Sequence, residues 1–301
     1  VNTSTVFRIG SVSKGLAAGL AGILEHEGKL KWDDPVSDYL PNFKTRQSDL
    51  TDSITIAHIL SHSAGYPYQA YSTLIEDGAP LDDMLLKLQA LPLSRRPGEI
   101  HAYQNVAYSL IERVIESIDP SATFEEKMHE KIFIPLHMNH ASVNFLSMVD
   151  SDNVAKPHLY GPRGFIVRKI SPTYYNARAA GGVNASISDM SQWLLAIMGY
   201  KPEVMPYQIR NEIFSPSIPT AVKNSYLSRL EKPRYGYYGK GWRIINYPSD
   251  TIIYHQGYVN GYKSAIAFSK TDEIGICILS NSGGHFSSIM LADFFNLYRK
   301  R

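Results

Sequence analysis

The chain has 301 residues, 44% of them hydrophobic, which is enough for one large core or two closely packed ones. Its 30 basic and 28 acidic residues leave a net charge of +2 and no strong basic run, so nothing indicates a nucleic-acid partner. The basic cluster at residues 299–301 is typical of a solvated helix end. No apolar run reaches transmembrane length. No signal peptide is visible, and the abrupt start at Val1 leaves room for an upstream leader and upstream strands.

The first half of the chain is predicted to be mostly helical. The first helix is expected at residues 11–27, where an apolar run stops at Gly28, a common helix terminator. Asp33-Asp34-Pro35 indicates the start of another helix, because proline is tolerated at the first helical position. Composition and periodicity predict four more helices, at residues 54–62, 81–91, 105–118 and 124–132.

After about residue 160 the pattern changes from helices to strands. A helix is still expected through Trp193 and Ile197, and a final one at residues 286–298. Short apolar runs predict strands at residues 241–245, 251–254, 263–268 and 274–279. The turn at residues 270–273 favours a hairpin between the last two. Cys277, the only cysteine, lies in the last run and is expected to be buried, and a disulfide within the chain is excluded.

This order predicts an α+β fold with a mostly antiparallel sheet built late in the chain. Helices from both ends would pack on the sheet, with an all-helical subdomain inserted between them. We expect a single domain over residues 1–301, in which residues 1–44 and 160–301 form the α/β part and residues 45–159 the mostly helical part. Only ten residues precede Ser11, so N-terminal strands are expected to be short or absent.

The most informative segment is Ser11-Val12-Ser13-Lys14, at the start of the first predicted helix. Residues three apart share a helix face, so Ser11 and Lys14 would place a hydroxyl beside an amine. A lysine can activate a serine nucleophile in this arrangement. Ser-x-x-Lys also arises by chance in a chain of this length, and the plain alternative is a capping serine beside a solvated lysine.

Two further segments could complete such a pair. Tyr103-Gln104-Asn105 follows a break at Pro97-Gly98 and begins a predicted helix, and His255-Gln256-Gly257 ends an apolar, strand-like run. Taken singly, each has a plain explanation as a partly buried tyrosine, a helix-capping asparagine or a polar strand end. Their order along the chain gives them weight.

Together these motifs resemble the serine β-lactamase and penicillin-binding protein family, specifically the branch with class C β-lactamases, DD-peptidases and related esterases. Residues 7–14 resemble its first motif, residues 103–105 its Tyr-x-Asn motif, and residues 255–257 the His-x-Gly variant of its third motif. Supporting segments match at residues 60–65, 135–138, 180–183 and 239–242. The resemblance extends from Val6 to about Gly283, nearly the whole chain.

The resemblance implies a β-lactamase/transpeptidase-like catalytic domain and a serine acyl-hydrolase. Ser11 would attack a carbonyl and carry the acyl group, and Lys14 would take its proton. Because a lysine with an ordinary pKa near 10.4 is a poor base at neutral pH, burial and the helix N-terminus would have to lower that pKa. Tyr103 would shuttle a second proton between Ser11 and the leaving group, and Asn105 would bond Lys14 and the substrate amide.

The resemblance also assigns groups around the substrate. The backbone N–H groups of Ser11 and Tyr258 would hold the oxyanion, and Gly257 would let a substrate lie close to the strand edge. His255 stands where efficient class C β-lactamases have a lysine that helps hold a carboxylate. At pH 7 a neutral or half-charged histidine does this less well. A peptidase, amidase or esterase acting on a D-amino-acid or ester substrate is therefore favoured over a strong β-lactamase.

Other chemistries have little support in the sequence. His58 and His62 have a metal-binding helical spacing but no third ligand, and no zinc-protease, Gly-x-Ser-x-Gly, Walker or dinucleotide motif is present. We expect no cofactor and no metal, and a small-molecule or peptide substrate as the partner. The alternative is a catalytically silent ligand-binding or structural protein on the same scaffold, because a fold does not guarantee a function. Family habit suggests the periplasm or cell envelope.

Overall fold

The computed structural model describes residues 1–162, 164–222, 227, 234–284 and 286–299. Its strands, in chain order, are β1 (Val6–Arg8), β2 (His158–Gly161), β3 (Gly164–Val167), β4 (Asn184–Ser186), β5 (Ile218–Thr220), β6 (Tyr235–Tyr238), β7 (Arg243–Asn246), β8 (Thr251–Val259), β9 (Tyr262–Ser269) and β10 (Gly275–Ser280). Strands β5 to β10 form one antiparallel sheet in which each strand pairs with its neighbours in sequence. Strands β1 and β4 form a separate antiparallel pair, and so do β2 and β3.

The strands predicted near the C-terminus are confirmed and extended. Strands β7 to β10 correspond to the four predicted runs, and β8 continues beyond the predicted run to Val259. Asn260 and Gly261, with φ of 41° and 90°, form the two-residue turn into β9. Cys277 lies in β10, at one edge of the sheet, and is half-buried rather than buried. An edge strand has a neighbour on one side only, which leaves it more exposed.

The α-helices, in chain order, are α1 (Ser13–His26), α2 (Val36–Tyr39), α3 (Ile56–Leu60), α4 (Ser72–Glu76), α5 (Leu81–Ala90), α6 (Asn105–Tyr108), α7 (Leu110–Ile118), α8 (Phe124–Met128), α9 (Phe145–Val149), α10 (Arg178–Gly181), α11 (Ile187–Met198), α12 (Tyr207–Ile213) and α13 (Phe286–Arg299). The predicted helices are all present, and the start signal at Pro35 precedes α2. The helix predicted at residues 105–118 is two helices, α6 and α7, joined at Ser109.

The first helix begins later than predicted. Gly10–Val12 form a single 3₁₀ turn, and α1 starts directly after it. Gly10 has φ of 50°, and a Cβ placed on it would lie 2.9 Å from the backbone nitrogen of Tyr258. The turn therefore rests on β8, and only a glycine fits at this contact. At the other end, Gly28, with φ of 70°, follows the helix as predicted.

Helix α1 is the central helix of the fold. Its residues from Ser13 to Leu24 are all buried, so it has no exposed face over that length. Two glycines of α1 leave room for tryptophan rings to pack against the helix. A Cβ at Gly15 would lie 2.5 Å from the indole of Trp242, and one at Gly19 would lie 2.6 Å from the indole of Trp193. These contacts hold α1 against α11 and the segment that leads into β7.

Helices and sheet share one large hydrophobic core. Val114 and Phe133 from the helical part join the same cluster as Ile9 and Phe268 from the sheet side. This arrangement agrees with the predicted α+β class, and the division into an α/β part and a helical part stays a prediction. Among the described residues, no helix is both long and apolar enough to span a membrane.

Candidate active site

Lys14 lies in the first turn of α1 and is completely buried. Its Nζ lies 2.8 Å from Asn105 Oδ1, 2.6 Å from the carbonyl oxygen of Ala180 and 3.3 Å from Ser11 Oγ. A neutral amine has two N–H donors and one lone pair. In that state Lys14 can donate to Asn105 and Ala180, and its lone pair can accept the proton of the Ser11 hydroxyl.

The surroundings of Lys14 favour this neutral form. Burial lowers the pKa of Lys14 well below its usual value, because the charged form loses its hydration. The guanidinium of Arg243 lowers this pKa further by repulsion. Ser11 thus lies beside an amine that gives up its proton more readily than a solvated lysine, which a lysine base requires.

Tyr103 and Asn105 are held in place by the residue between them. The side-chain oxygen of Gln104 caps α6, accepting hydrogen bonds from Val106 N at 2.7 Å and Ala107 N at 3.2 Å. Asn105 is consequently the first residue of α6, with its amide oxygen on the buried amine. The plain alternative for Asn105, a helix-capping asparagine, does not apply, because Gln104 provides the cap.

Tyr103 is buried and lines the same cleft as Ser11, which is close enough to influence its pKa. Burial raises the pKa of Tyr103 to about 12, and the contacts with Ser11 and Arg243 offset only part of the rise. The phenol is therefore protonated at neutral pH. Lys14 Nζ lies 4.9 Å from the centroid of the ring, so the hydroxyl, the amine and the phenol form one group.

His255 is the predicted site residue that the structure places behind the cleft. Its side chain is 1% exposed, with Nε2 2.9 Å from the hydroxyl of Tyr238 and Nδ1 2.9 Å from the carbonyl oxygen of Gln256. A carbonyl oxygen only accepts, so Nδ1 carries the proton and Nε2 accepts from Tyr238. Burial lowers the pKa of His255 well below its usual value, and Arg243 lowers it further. The ring is thus neutral and bonded at both nitrogens, and a role of His255 in binding or supporting a substrate stays a prediction.

The β8–β9 hairpin determines which backbone groups of β8 face away from β9. A two-residue turn makes the flanking residues, Val259 and Tyr262, a hydrogen-bonded pair. The next pair, Tyr258 with Lys263, is then a non-hydrogen-bonded one. The N–H of Tyr258 therefore points away from β9.

The free edge of β8 faces the turn that carries Ser11. Strand β7 pairs with β8 only as far as Tyr254, and beyond it Gly10 lies against the backbone of Tyr258. The N–H groups of Ser11 and Tyr258, which the resemblance assigns to the oxyanion hole, are thus on adjoining segments at one edge. The geometry is compatible with that assignment.

Gly257 is needed for a close contact within the protein, in addition to the predicted one with a substrate. A Cβ at this position would lie 2.0 Å from the carbonyl oxygen of Ile9 and 2.5 Å from Ser264 Oγ. Ser264 Oγ donates to the same carbonyl at 2.5 Å. The close neighbour of Gly257 in the structure is therefore the segment just before Ser11, and its contact with a substrate stays a prediction.

These groups line an open cleft of about 370 Å³. Ser11, Tyr103 and Asn105 line it from the helical side, and residues 256–258 and Lys263 from the sheet side. A larger cavity of about 590 Å³, between α1 and α7, contains none of these side chains. Within the ranges that the structure describes, no three His, Cys, Asp or Glu residues cluster as metal ligands would.

Two functional groups were missed by sequence reasoning. Arg243 is the first residue of β7, and its guanidinium lies 5.6 Å from the ring centroids of both Tyr103 and Tyr238. Nothing in the sequence marks a lone arginine at a strand start. The second group is the carbonyl of Ala180, within a segment whose resemblance to the family was recognised. A backbone acceptor has no signature in residue type, so its contact with Lys14 could not be inferred.

The chain belongs to the β-lactamase family, since the family model described as Beta-lactamase matches residues 1–293. This confirms the resemblance found in the motifs. Among curated relatives, the chain is 26% identical to Beta-lactamase of Escherichia coli (strain K12), over 93% of this chain and 76% of that protein. It spans about half the length (54%) of other curated relatives, which are 23% identical to it.

Solved structures confirm the predicted fold class. The octameric penicillin-binding protein homologue from Pyrococcus abyssi has a TM-score of 0.83 at 23% identity, over 98% of this chain and 67% of that chain. A D-stereospecific amidohydrolase from Streptomyces sp. has a TM-score of 0.75 at 17% identity, over 97% of this chain and 87% of that chain. Both likenesses are in fold. Membership of the family supports a hydrolase.

Proposed function

We propose that the protein is a serine acyl-hydrolase that forms an acyl-enzyme on Ser11. The observation that carries this proposal is the position of Lys14 Nζ, buried between Asn105, Ala180 and the Ser11 hydroxyl. A capping serine with a solvated lysine would leave the lysine in water, and this lysine is fully buried. Three partners around one buried amine, one of them a serine hydroxyl, fit a nucleophile with its base.

Acylation would use these groups in order. The Ser11 O–H bond breaks as its proton moves to Lys14, and the oxygen forms a bond to the substrate carbonyl carbon. The N–H groups of Ser11 and Tyr258 stabilise the resulting oxyanion. When the bond to the leaving group breaks, the leaving group takes the proton of Tyr103, which the ammonium of Lys14 replaces. Water then releases the acyl group by the reverse set of proton transfers.

The position of His255 favours an amide or ester over a β-lactam. His255 is neutral and bonded to Tyr238, so it provides no charge for a substrate carboxylate. We propose a peptidase, amidase or esterase acting on D-amino-acid or ester substrates, with β-lactams as poorer ones. The fold shared with a D-stereospecific amidohydrolase is consistent with this substrate class.

Labelling followed by turnover tests the proposal. A fluorescent penicillin and a fluorophosphonate are each expected to add one acyl or phosphonyl group, seen by intact mass, to the wild type and not to Ser11→Ala. Absence of any Ser11-dependent adduct with both probes would reject the enzyme. A stable adduct without turnover of any substrate would instead support the silent binding protein.

A substrate panel then separates the activities. Nitrocefin, a p-nitrophenyl ester and a peptide ending in D-Ala-D-Ala should be compared by kcat/KM under identical conditions. We expect the ester or the peptide to exceed nitrocefin. Nitrocefin turnover far above that of the ester would contradict the inference drawn from His255.

A further inference from the structure

A buried glutamate lies behind the segment that holds Lys14. Glu112, on α7, is 3% exposed, and its Oε1 accepts a 2.9 Å hydrogen bond from the backbone N–H of Ala179. The next residue, Ala180, provides the carbonyl oxygen that lies 2.6 Å from Lys14 Nζ. One hydrogen bond and one residue of chain therefore separate the glutamate from the group that holds the amine.

Glu112 takes the place of a missing helix cap. Helix α10 is a single turn whose N-cap residue, Ala177, has no side chain able to accept a hydrogen bond. The N–H of Ala179, two residues on, is one of the donors that such a cap normally satisfies. Glu112 supplies the acceptor from another helix, and so ties α10 to α7.

Packing alone does not explain an acid at this position. Burial raises the pKa of Glu112 to about 7, while the N–H of Ala179 and the charges of Arg178 and Arg113 act against the rise and Glu116 adds to it. These are the charged groups around it, from α10 and from its own helix. An apolar side chain of similar volume would avoid the free-energy cost of burying a carboxyl group.

We propose that Glu112 is a positioning residue: by capping α10 it fixes the carbonyl of Ala180, which holds Lys14 Nζ toward Ser11. This inference rests on the proposed roles of Ser11 and Lys14. The role requires an acceptor oxygen and no negative charge, so a glutamine amide oxygen can perform it.

Three variants of Glu112 separate capping from packing. Glu112→Leu keeps most of the volume and removes the acceptor, Glu112→Ala removes both, and Glu112→Gln keeps the acceptor. The control is Val114→Ala, a cavity variant on the same helix, two residues on and so on a different face. Melting temperature and the Ser11 acylation rate at saturating and subsaturating fluorophosphonate should be measured for each.

We expect Glu112→Leu to fold with wild-type or higher thermal stability. Its Ser11 should nevertheless react about tenfold more slowly at saturating fluorophosphonate, while the half-saturating fluorophosphonate concentration stays unchanged. This is the order of effect expected when a base is displaced rather than removed. Glu112→Gln should stay within about twofold of wild type, the rescue that a charge-independent acceptor predicts. If Glu112→Leu does not fold, Glu112→Ala replaces it. Wild-type acylation by the apolar variant, or equal slowing by Glu112→Gln, would overturn the proposal.

The titration of Lys14 provides a readout that needs no turnover. With ¹³C-labelled lysine, its resonance is identified as the one missing from Lys14→Arg. The carbonyl of Ala180 stabilises the ammonium, so its displacement in Glu112→Leu should lower the pKa of Lys14 by about half a unit or more. Glu112→Gln and Val114→Ala should leave it unchanged. An unshifted Lys14 in Glu112→Leu rejects the positioning role, whereas a wild type that forms no Ser11 adduct rejects the proposed function and leaves this test standing.

Discussion

The two walls of the cleft are built in different ways. On the helical wall, Lys14 and Asn105 are joined by a side-chain hydrogen bond in a buried setting, and Ser11 lies against them. On the sheet wall, β8 presents backbone and the side chain of Gln256, β9 adds Lys263, and His255 points away to Tyr238. Changes on the helical wall should therefore abolish the reaction, and changes on the sheet wall should alter its geometry or the stability of the fold.

The largest expected effect is that of Lys14→Ala. Removal of the base should slow acylation of Ser11 by at least about 100-fold. Intact mass after timed exposure to fluorophosphonate measures the rate. Lys240→Ala is the matched control, since Lys240 is also a buried lysine with a lowered pKa but bonds to Glu212 instead. Equal slowing of both variants would mean that the effect comes from loss of a buried lysine in general.

Tyr103→Phe should also slow acylation by at least about 100-fold, because the leaving group loses its proton donor. An ester with a good leaving group, such as p-nitrophenolate, needs that proton less and should suffer a smaller loss than an amide. Tyr66→Phe is the control, since the hydroxyl of Tyr66 is buried and has no hydrogen-bond partner among the described residues. Equal losses for ester and amide would contradict the assigned role of Tyr103.

Gly257→Ala tests the contact between the walls. The new Cβ would lie 2.0 Å from a backbone oxygen of Ile9, which cannot move aside without moving Ser11. We expect a fall in acylation rate of about 10- to 100-fold, the scale of a displaced oxyanion donor, and a lower melting temperature. Gly284→Ala, whose Cβ would meet nothing closer than 3.9 Å in the part of the chain that the structure describes, should leave both unchanged. A wild-type rate in Gly257→Ala would show that the two segments can shift without loss.

Tyr238→Phe should affect stability more than catalysis. Without the hydroxyl, Nε2 of His255 becomes a buried acceptor with no donor, which costs about 1–3 kcal/mol of unfolding free energy. Denaturant unfolding measures that loss, and KM for the best substrate should stay within about twofold of wild type. A large rise in KM would place His255 in substrate binding after all.

The smallest expected effect is a pH dependence of stability. The pKa of His255 is lowered in the folded state, so protons bind preferentially to the unfolded chain. The unfolding free energy should therefore decrease as pH falls below about 6.5, the ordinary histidine pKa. His255→Gln should show a shallower decrease over the same range. A decline of equal slope in both proteins would assign it to other groups.

The residues of the helical wall were largely predictable, because its functional side chains lie close together in short sequence motifs. Ser11 and Lys14 are three residues apart, and Tyr103 and Asn105 flank one residue, so the sequence motifs describe most of the local geometry. The sheet wall was not predictable in the same way. His255 points away from the cleft because it bonds to the hydroxyl of Tyr238, which lies on another strand. Gly257 is required because it packs against the carbonyl of Ile9, which is distant in sequence.

In the fold as well, features set by local sequence patterns were predicted and features set by tertiary contacts were not. Helices and strands with clear periodicity were found where expected, and β9 and β10 were placed within one residue at each end, whereas β8 is longer than predicted. The boundary at Ser13 was missed because the 3₁₀ turn before it depends on Gly10 meeting β8. Arg243 and the carbonyl of Ala180 reach Lys14 only through tertiary packing, which local sequence patterns do not report.

The two-residue turn at residues 260–261 has a consequence for any attempt to redesign the sheet wall. Along an antiparallel strand, the N–H groups of successive residues point alternately toward and away from the partner strand. The two-residue turn therefore determines which N–H groups of β8 point toward β9. Deleting or inserting one residue between Gly257 and the turn would reverse the direction of each backbone N–H of β8 relative to β9, from Gly257 back to the start of the strand. A loop grafted at this hairpin should therefore keep the two-residue turn or change the number of residues by an even number. The side chains at residues 260–261 can be varied without changing the direction of the β8 N–H groups.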